Sequence, residues 1–206
     1  MQKRIRYVEV DTVCHGGAAV VLTHWNRARG HRFAPAFGRD FHLDDLPVDI
    51  IPSLTVVDVL RGGEDYFYRF WGTESVVRKG FEMTGKRLSE APTREGRKNG
   101  FEQYGAVLAE RKPLAIVYNA TYLSSAAASR QLTFRFPLSG DGERIDKIIT
   151  YQNLRQHPAD WEDLYDEMWL AAGQPVPNRG YRSRSFRAVG AGGAPTAGTA
   201  PADRGS

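Results

Sequence analysis

The sequence predicts an α+β fold: a five-stranded antiparallel sheet with helices on one face and further helices flanking it at both ends. Strand-like segments come first as a pair, then two helical segments intervene, and a run of three strands follows, which is not the strict alternation that builds parallel sheets. Turn signals, "GGED" at 62–65 and "SGDG" at 139–142, join strands that are close in sequence. The 206 residues suit one domain with appendages and are enough to bury a self-supporting core.

Each element has its own signal. Residues 17–29, "GAAVVLTHWNRAR", place Val21, Leu22 and Trp25 at helical spacing with Gly30 as a stop. A connector with Pro35, Gly38 and the acidic "DFHLDDLPVD" leads to "LTVVDVL" at 54–60, a β-branched run too short for a helix. "YFYRFW" at 66–71 completes a hairpin with it. After Gly72 the period changes: Thr73 is placed to cap a short helix that carries Glu74 in its first turn and Gly80 at its end. Residues 93–112 set Phe101, Tyr104 and Leu108 on one helical face, and Pro113 closes that helix. Three strand segments follow, "LAIVYNATYL", "RQLTFRFPL" and "RIDKIITYQNL". In the middle one Leu132, Phe134, Phe136 and Leu138 alternate with Gln131, Thr133 and Arg135. Last, "PADWEDLYDEMWLAAG" has Asp160 as N-cap and an apolar stripe of Trp161, Leu164, Tyr165 and Met168. The organisation read from this is an N-terminal extension at 1–16, a helix and connector at 17–52, a core at 53–156, a C-terminal helix at 157–172 and a disordered tail at 173–206.

Charge is unevenly distributed. Of 28 Lys+Arg and 24 Asp+Glu, residues 1–172 hold 23 of each, so the net +4 belongs to the tail with its Arg179, Arg182, Arg184, Arg187 and Arg204. That tail is rich in Gly, Pro, Ala and Ser and poor in large apolar residues, a composition that does not offset the entropy of ordering. Its "NRGYRSRSFR" interleaves rings with arginines, which keeps nucleic-acid binding open as a minor possibility beside a solubilising role. No apolar run is long enough for a membrane span, and Glu9 and Asp11 interrupt the basic start, so the expected location is the cytoplasm. A lone cysteine, Cys14, accords with a reducing compartment.

"GFEMTGKR", Gly80 to Arg87, nearly spells the phosphate loop G-x-x-x-x-G-K-[ST]. Such a loop must leave a strand and open a helix, and its final hydroxyl binds magnesium. Here Gly80 follows a helical segment and Arg87 stands where the hydroxyl belongs. The structural reading is therefore preferred: Gly80 ends a helix and Gly85 permits a tight turn.

The stretch "YRFWGTESVVRKGFEMTGKRLSE" resembles the PAS domains, in particular the bacterial stand-alone group marked by Y-R-x-x-G-T, a glycine, and T-G-[KR]-x-L. Tyr68, Arg69, Gly72, Thr73, Gly80, Thr84, Gly85, Lys86 and Leu88 match that pattern. The resemblance extends upstream through the tryptophan, Arg-Gly, proline and acidic segment, covers about residues 20–155, and agrees with the element order. It implies a sensory, signalling or protein-interaction module whose sheet and helices enclose a small cavity, which in the family holds haem, flavin or a metabolite or stays empty. Support for haem or flavin is missing from this chain: Cys14 precedes the domain, and His15, His24, His31, His42 and His157 all lie off the long internal helix. The cofactor is left unknown.

Candidate chemistry is sparse. Aromatics at Tyr68, Phe70, Tyr104, Tyr118, Phe134 and Phe136 form the candidate ligand pocket, with an ordinary core as the alternative. Alternation pairs Tyr68 with Phe70, Tyr118 with Tyr122, and Phe134 with Phe136 on shared faces. Arg69 reads as an outward residue paired with a surface carboxylate. No catalytic motif, metal-ligand spacing or tuned carboxylate pair is visible, so no enzyme activity is expected. The expected function is a PAS-type sensor that binds a small molecule or partner protein and signals through its flanking helices; a ligand-free dimerisation module is the alternative. A homodimer is expected through an exposed stripe in "AAVVLTHW".

Overall fold

The structure, a computed structural model, describes residues 5–122 and 125–152. The proposed helix at 157–172 and the tail at 173–206 lie outside the described residues. Strands β1 (Arg6–Val8), β2 (Leu54–Leu60), β3 (Asp65–Trp71), β4 (Leu114–Tyr122), β5 (Ser125–Leu138) and β6 (Lys147–Gln152) form one sheet in the order β1-β4-β5-β6-β2-β3, with every neighbouring pair antiparallel. The helices are α1 (Val10–Val13), α2 (Gly17–Arg29), α3 (Thr73–Lys79) and α4 (Arg94–Glu110). The fold is α+β, with α3 and α4 inserted between the second and third core strands.

The sheet has six strands where five are predicted. The extra one, β1, lies in the segment read as an extension and pairs Arg6 with Val117 and Val8 with Ala115. Three residues are too few to display a period of two, so the sequence carries no strand signal there.

Because strand side chains alternate, the sheet has two faces, and both are covered. On one face Leu54, Val56, Phe134, Phe136 and Ile149 meet Val21 and Trp25 of α2 and the connector that follows it. The Trp25 indole donates to the Pro137 carbonyl at 2.7 Å, and the Ser139 amide donates to the Pro35 carbonyl at 2.8 Å, which pins this cap to the end of β5. The other face, carrying Val57, Tyr68, Ile116, Tyr118 and Ile148, meets α4 and the segment after α3. The apolar stripe of α2 is therefore buried on its own sheet: Ala18, Val21 and Trp25 are covered and Val20 is the large apolar residue left exposed. The stripe that the sequence suggests is exposed is thus largely covered by the chain itself.

The β5–β6 connection is the predicted tight turn. Asp141 accepts from the amides of Glu143 and Arg144, and these bonds with the Arg144 guanidinium hold its carboxyl well below the usual range. Among the described residues no helix is long and apolar enough to cross a membrane.

Candidate functional site

The near-phosphate-loop motif builds a wall. Gly80 caps α3 in the left-handed region at φ 78° and donates its amide to Val76 at 2.8 Å. Gly85, also at φ 78°, donates to the Tyr68 carbonyl at 2.9 Å, and the Lys86 carbonyl accepts from the Tyr68 amide at 2.9 Å. Both glycine amides are thus already hydrogen-bonded within the chain and do not form a phosphate cradle, and the Lys86 ammonium turns back to the Glu82 carbonyl at 3.1 Å. The segment after α3 runs along the outer edge of β3, covering a strand that would otherwise be open to pairing. A Cβ at position 85 meets open space, so Gly85→Ala suffers only the left-handed backbone penalty, and denaturant unfolding should show a loss of about 1–2 kcal/mol.

Behind that wall lies a cavity of about 280 Å³, close to the lower end of the roughly 300–1,000 Å³ seen for ligand pockets. Its apolar lining includes Trp71, Phe81, Met83 and Leu88, from the end of β3 and the covering segment. Gly100 on α4 lets that helix approach Leu88: a Cβ there would stand 2.6 Å from a Leu88 methyl group. Of the aromatic candidates, Tyr68, Tyr104 and Tyr118 line the cavity.

Phe70, Phe134 and Phe136 do not, and these placements correct the pocket read from the sequence. Phe134 and Phe136 share a face as expected, but it is the face beneath α2. Alternation says which residues point together, and not toward which layer. Phe70 parts from Tyr68 because β3 is bulged: Val57 pairs with Tyr68 and Val56 with Phe70, leaving Arg69 as the extra residue. The bulge turns Phe70 to the α2 side and brings Trp71 back to the cavity. Arg69 itself points outward in an ion pair with Asp58, which Lys147 also approaches at 3.4 Å.

What the sequence reading missed is the polar floor of the cavity. Gln131 and Arg135 of β5 point into it, opposite to Leu132, Phe134 and Phe136, together with Thr150 and Gln152 of β6. Arg135 is 5% exposed; it donates through Nη1 to Thr150 at 2.8 Å and through Nη2 to Gln103 at 2.7 Å, and its guanidinium carbon lies 3.8 Å from the Tyr104 ring centroid. Its buried Nε has no hydrogen-bond partner among the described residues. Gln152 donates to the Tyr118 hydroxyl at 3.2 Å and to Thr133 at 3.0 Å, and Tyr118 donates to Gln131 at 2.9 Å. The available signal was the set Gln131, Thr133 and Arg135, polar at every second position of a strand whose other residues are large and apolar.

Lys79, at the end of α3, adds a second cation. Its Nζ lies 4.6 Å from the Trp71 ring centroid, and burial, followed by the charge of Arg135, lowers its pKa to about 7. Burial is also the leading cause that raises the pKa values of the Tyr68 and Tyr118 hydroxyls, which keeps them protonated near neutrality. An unfolded lysine keeps its proton up to about pH 10.4, so between pH 7 and that value the unfolded chain binds more protons and stability rises with pH. Thermal melting of the ligand-free protein should shift upward from pH 7 to 9, and Lys79→Met should melt higher at pH 7 and lose that shift.

No family model matches the chain, and no curated protein does. Solved structures do. An RNA-binding light-oxygen-voltage receptor is 12% identical with a TM-score of 0.41, over 58% of this chain and 33% of its own. A VqmA–ligand–DNA complex from Vibrio cholera is 11% identical with a TM-score of 0.44, over 72% of this chain and 64% of that one. A sensory box histidine kinase/response regulator from Burkholderia thailandensis E264 is 13% identical with a TM-score of 0.34, over 59% and 89%. The chain therefore spans a third of the first protein and less than two thirds of the second.

Among the described residues the cavity lining contains neither histidine nor cysteine, and no group of three or more His, Cys, Asp or Glu is arranged to hold a metal ion. A haem held by an axial histidine or a flavin captured by a thiol does not fit this lining. Cys14 lies in the N-terminal segment, with burial first among the causes that raise its thiol to about 11.

Proposed function

We propose that this chain is a PAS-type sensory module that binds a small molecule in the cavity between the sheet and α4, and signals through its flanks without turning the ligand over. The observation that carries this reading is the cavity itself: an apolar wall facing a floor of half-buried Gln131 and buried Arg135, Thr150 and Gln152, whose Arg135 Nε and Gln152 Oε1 lack partners among the described residues. Buried polar atoms are ordinarily satisfied, and unsatisfied ones in a cavity are the feature a ligand supplies.

Strand β6 offers the route out. Thr150 and Gln152 face the cavity, whereas Tyr151 between them packs in the layer under α2, where a Cβ on Gly17 would fall 2.3 Å from its hydroxyl. A molecule that engages Gln152 shifts the strand on which α2 rests and from which residues 153 onward depart.

Native mass spectrometry of freshly purified full-length chain tests the reading. A bound small molecule released on denaturation is expected. A bare chain, joined to an unchanged melting temperature across a metabolite panel, would reject it, because a ligand of the folded state stabilises by mass action.

A further inference from the structure

We propose that the cavity selects a small monoanion, a carboxylic acid with a flat apolar body, whose carboxylate is held by Arg135 and Lys79. This rests on the ligand-binding reading above and adds the ligand's chemical class.

A guanidinium cannot shed its proton inside a protein, so burying one is costly unless an anion or a full set of acceptors surrounds it. Arg135 is buried, yet its two hydrogen bonds among the described residues go to neutral groups, Thr150 and Gln103, and it forms no ion pair there. The Tyr104 ring offers only the partial negative charge of its face. Of its five N–H groups, the one on Nε and one on each Nη are not used by these two bonds.

Lys79 reaches the same space from α3. Two cations share one small cavity, and Glu95, in the first turn of α4, is the carboxylate among the described lining residues. With Lys79 protonated, Arg135, Lys79 and Glu95 sum to one net positive charge, which matches a monoanion. A dianionic phosphate would remain under-neutralised. The body of the ligand faces Trp71, Phe81, Met83 and Leu88, where an aromatic or other flat apolar group is accommodated. The phenols of Tyr68 and Tyr118 stay protonated, so neither adds a negative charge near neutral pH.

The test uses phenylacetate, the neutral isostere phenylacetamide, and phenyl phosphate, titrated into the ligand-free full-length chain by calorimetry and thermal shift at pH 6.5. Phenylacetate should bind at least tenfold more tightly than either of the others. Arg135→Met, checked for folding by circular dichroism, should erase that preference, while Arg135→Lys should retain part of it. Raising the pH from 6.5 to 8.5 should weaken phenylacetate binding to the wild type as Lys79 loses its proton, and leave Lys79→Met unaffected. Phenylacetamide binding as well as phenylacetate would overturn the anion inference and leave the small-molecule reading standing, as would a neutral molecule carried through purification. Preference for phenyl phosphate would overturn the monoanion assignment. Failure of all three probes to bind would overturn the inference, and native mass spectrometry would then decide the broader reading separately.

Discussion

Gly72→Ala should cost about 3 kcal/mol or more of folding stability, the upper end of what overpacking a filled site produces. Its backbone is ordinary, φ −59° and ψ 146°, so conformational freedom is not what the glycine supplies. It supplies proximity. A Cβ there would lie 2.2 Å from the Pro52 carbonyl oxygen and 2.6 Å from that of Leu54, and neither is the end of a flexible side chain. The Gly72 amide also donates to the Leu54 carbonyl at 2.8 Å, at the point where β3 gives way to α3. Relief of the clash would have to separate β3 from β2 or lift α3, and either opens the cavity at Trp71. Urea unfolding should rank Gly72→Ala well below Gly85→Ala, whose new methyl group enters open space. Equal losses would show that close approach is not the role of Gly72.

Phe134→Ala should be as damaging to stability and nearly silent for binding. The side chain is 1% exposed in the layer between sheet and α2, and removing a phenylalanine from such a site costs about 3–5 kcal/mol. Its ring approaches that of Tyr151 with centroids 6.4 Å apart, on the opposite side of the sheet from the cavity. At a temperature where the variant remains folded, its affinity for phenylacetate should stay within about twofold of the wild type, a margin well under the 1.4 kcal/mol that a tenfold change represents. Arg135→Met, one residue along the same strand, should do the reverse. The pair separates the two faces of β5 more sharply than either variant alone.

These two sites also show how far the sequence could be read. The local elements were legible because period, turn and stop signals agreed: the predicted limits of α2 and β2, 17–29 and 54–60, are those of the structure. The motif around Gly80 and Gly85 was legible as structure because its surroundings lacked what a phosphate loop needs. The cavity was legible only in part. Tyr68, Tyr104 and Tyr118 line it, but a single inserted residue at Arg69 reversed the expected face of Phe70. Phe134 and Phe136 were misplaced because a sheet covered on both sides has no solvent face to tell inside from outside. Arg135 was passed over for a related reason. A cation alternating with apolar residues ordinarily marks the wet face of a strand, and here that face is the floor of the cavity. The three-residue β1 fell short of any periodic signal, so the sixth strand emerged only from its pairing with β4.

The chain has three methionines, and Met83 is buried at 1% in the cavity wall, which makes it a reporter placed where the ligand should sit. Methyl-labelled methionine spectra of the full-length protein, recorded while phenylacetate is added to saturation, are therefore the most direct measurement. The Met83 methyl resonance should move along with the titration, and should stay in place when Arg135→Met is titrated over the same concentrations. Saturable phenylacetate binding that leaves the Met83 resonance unmoved would put the ligand somewhere other than this cavity.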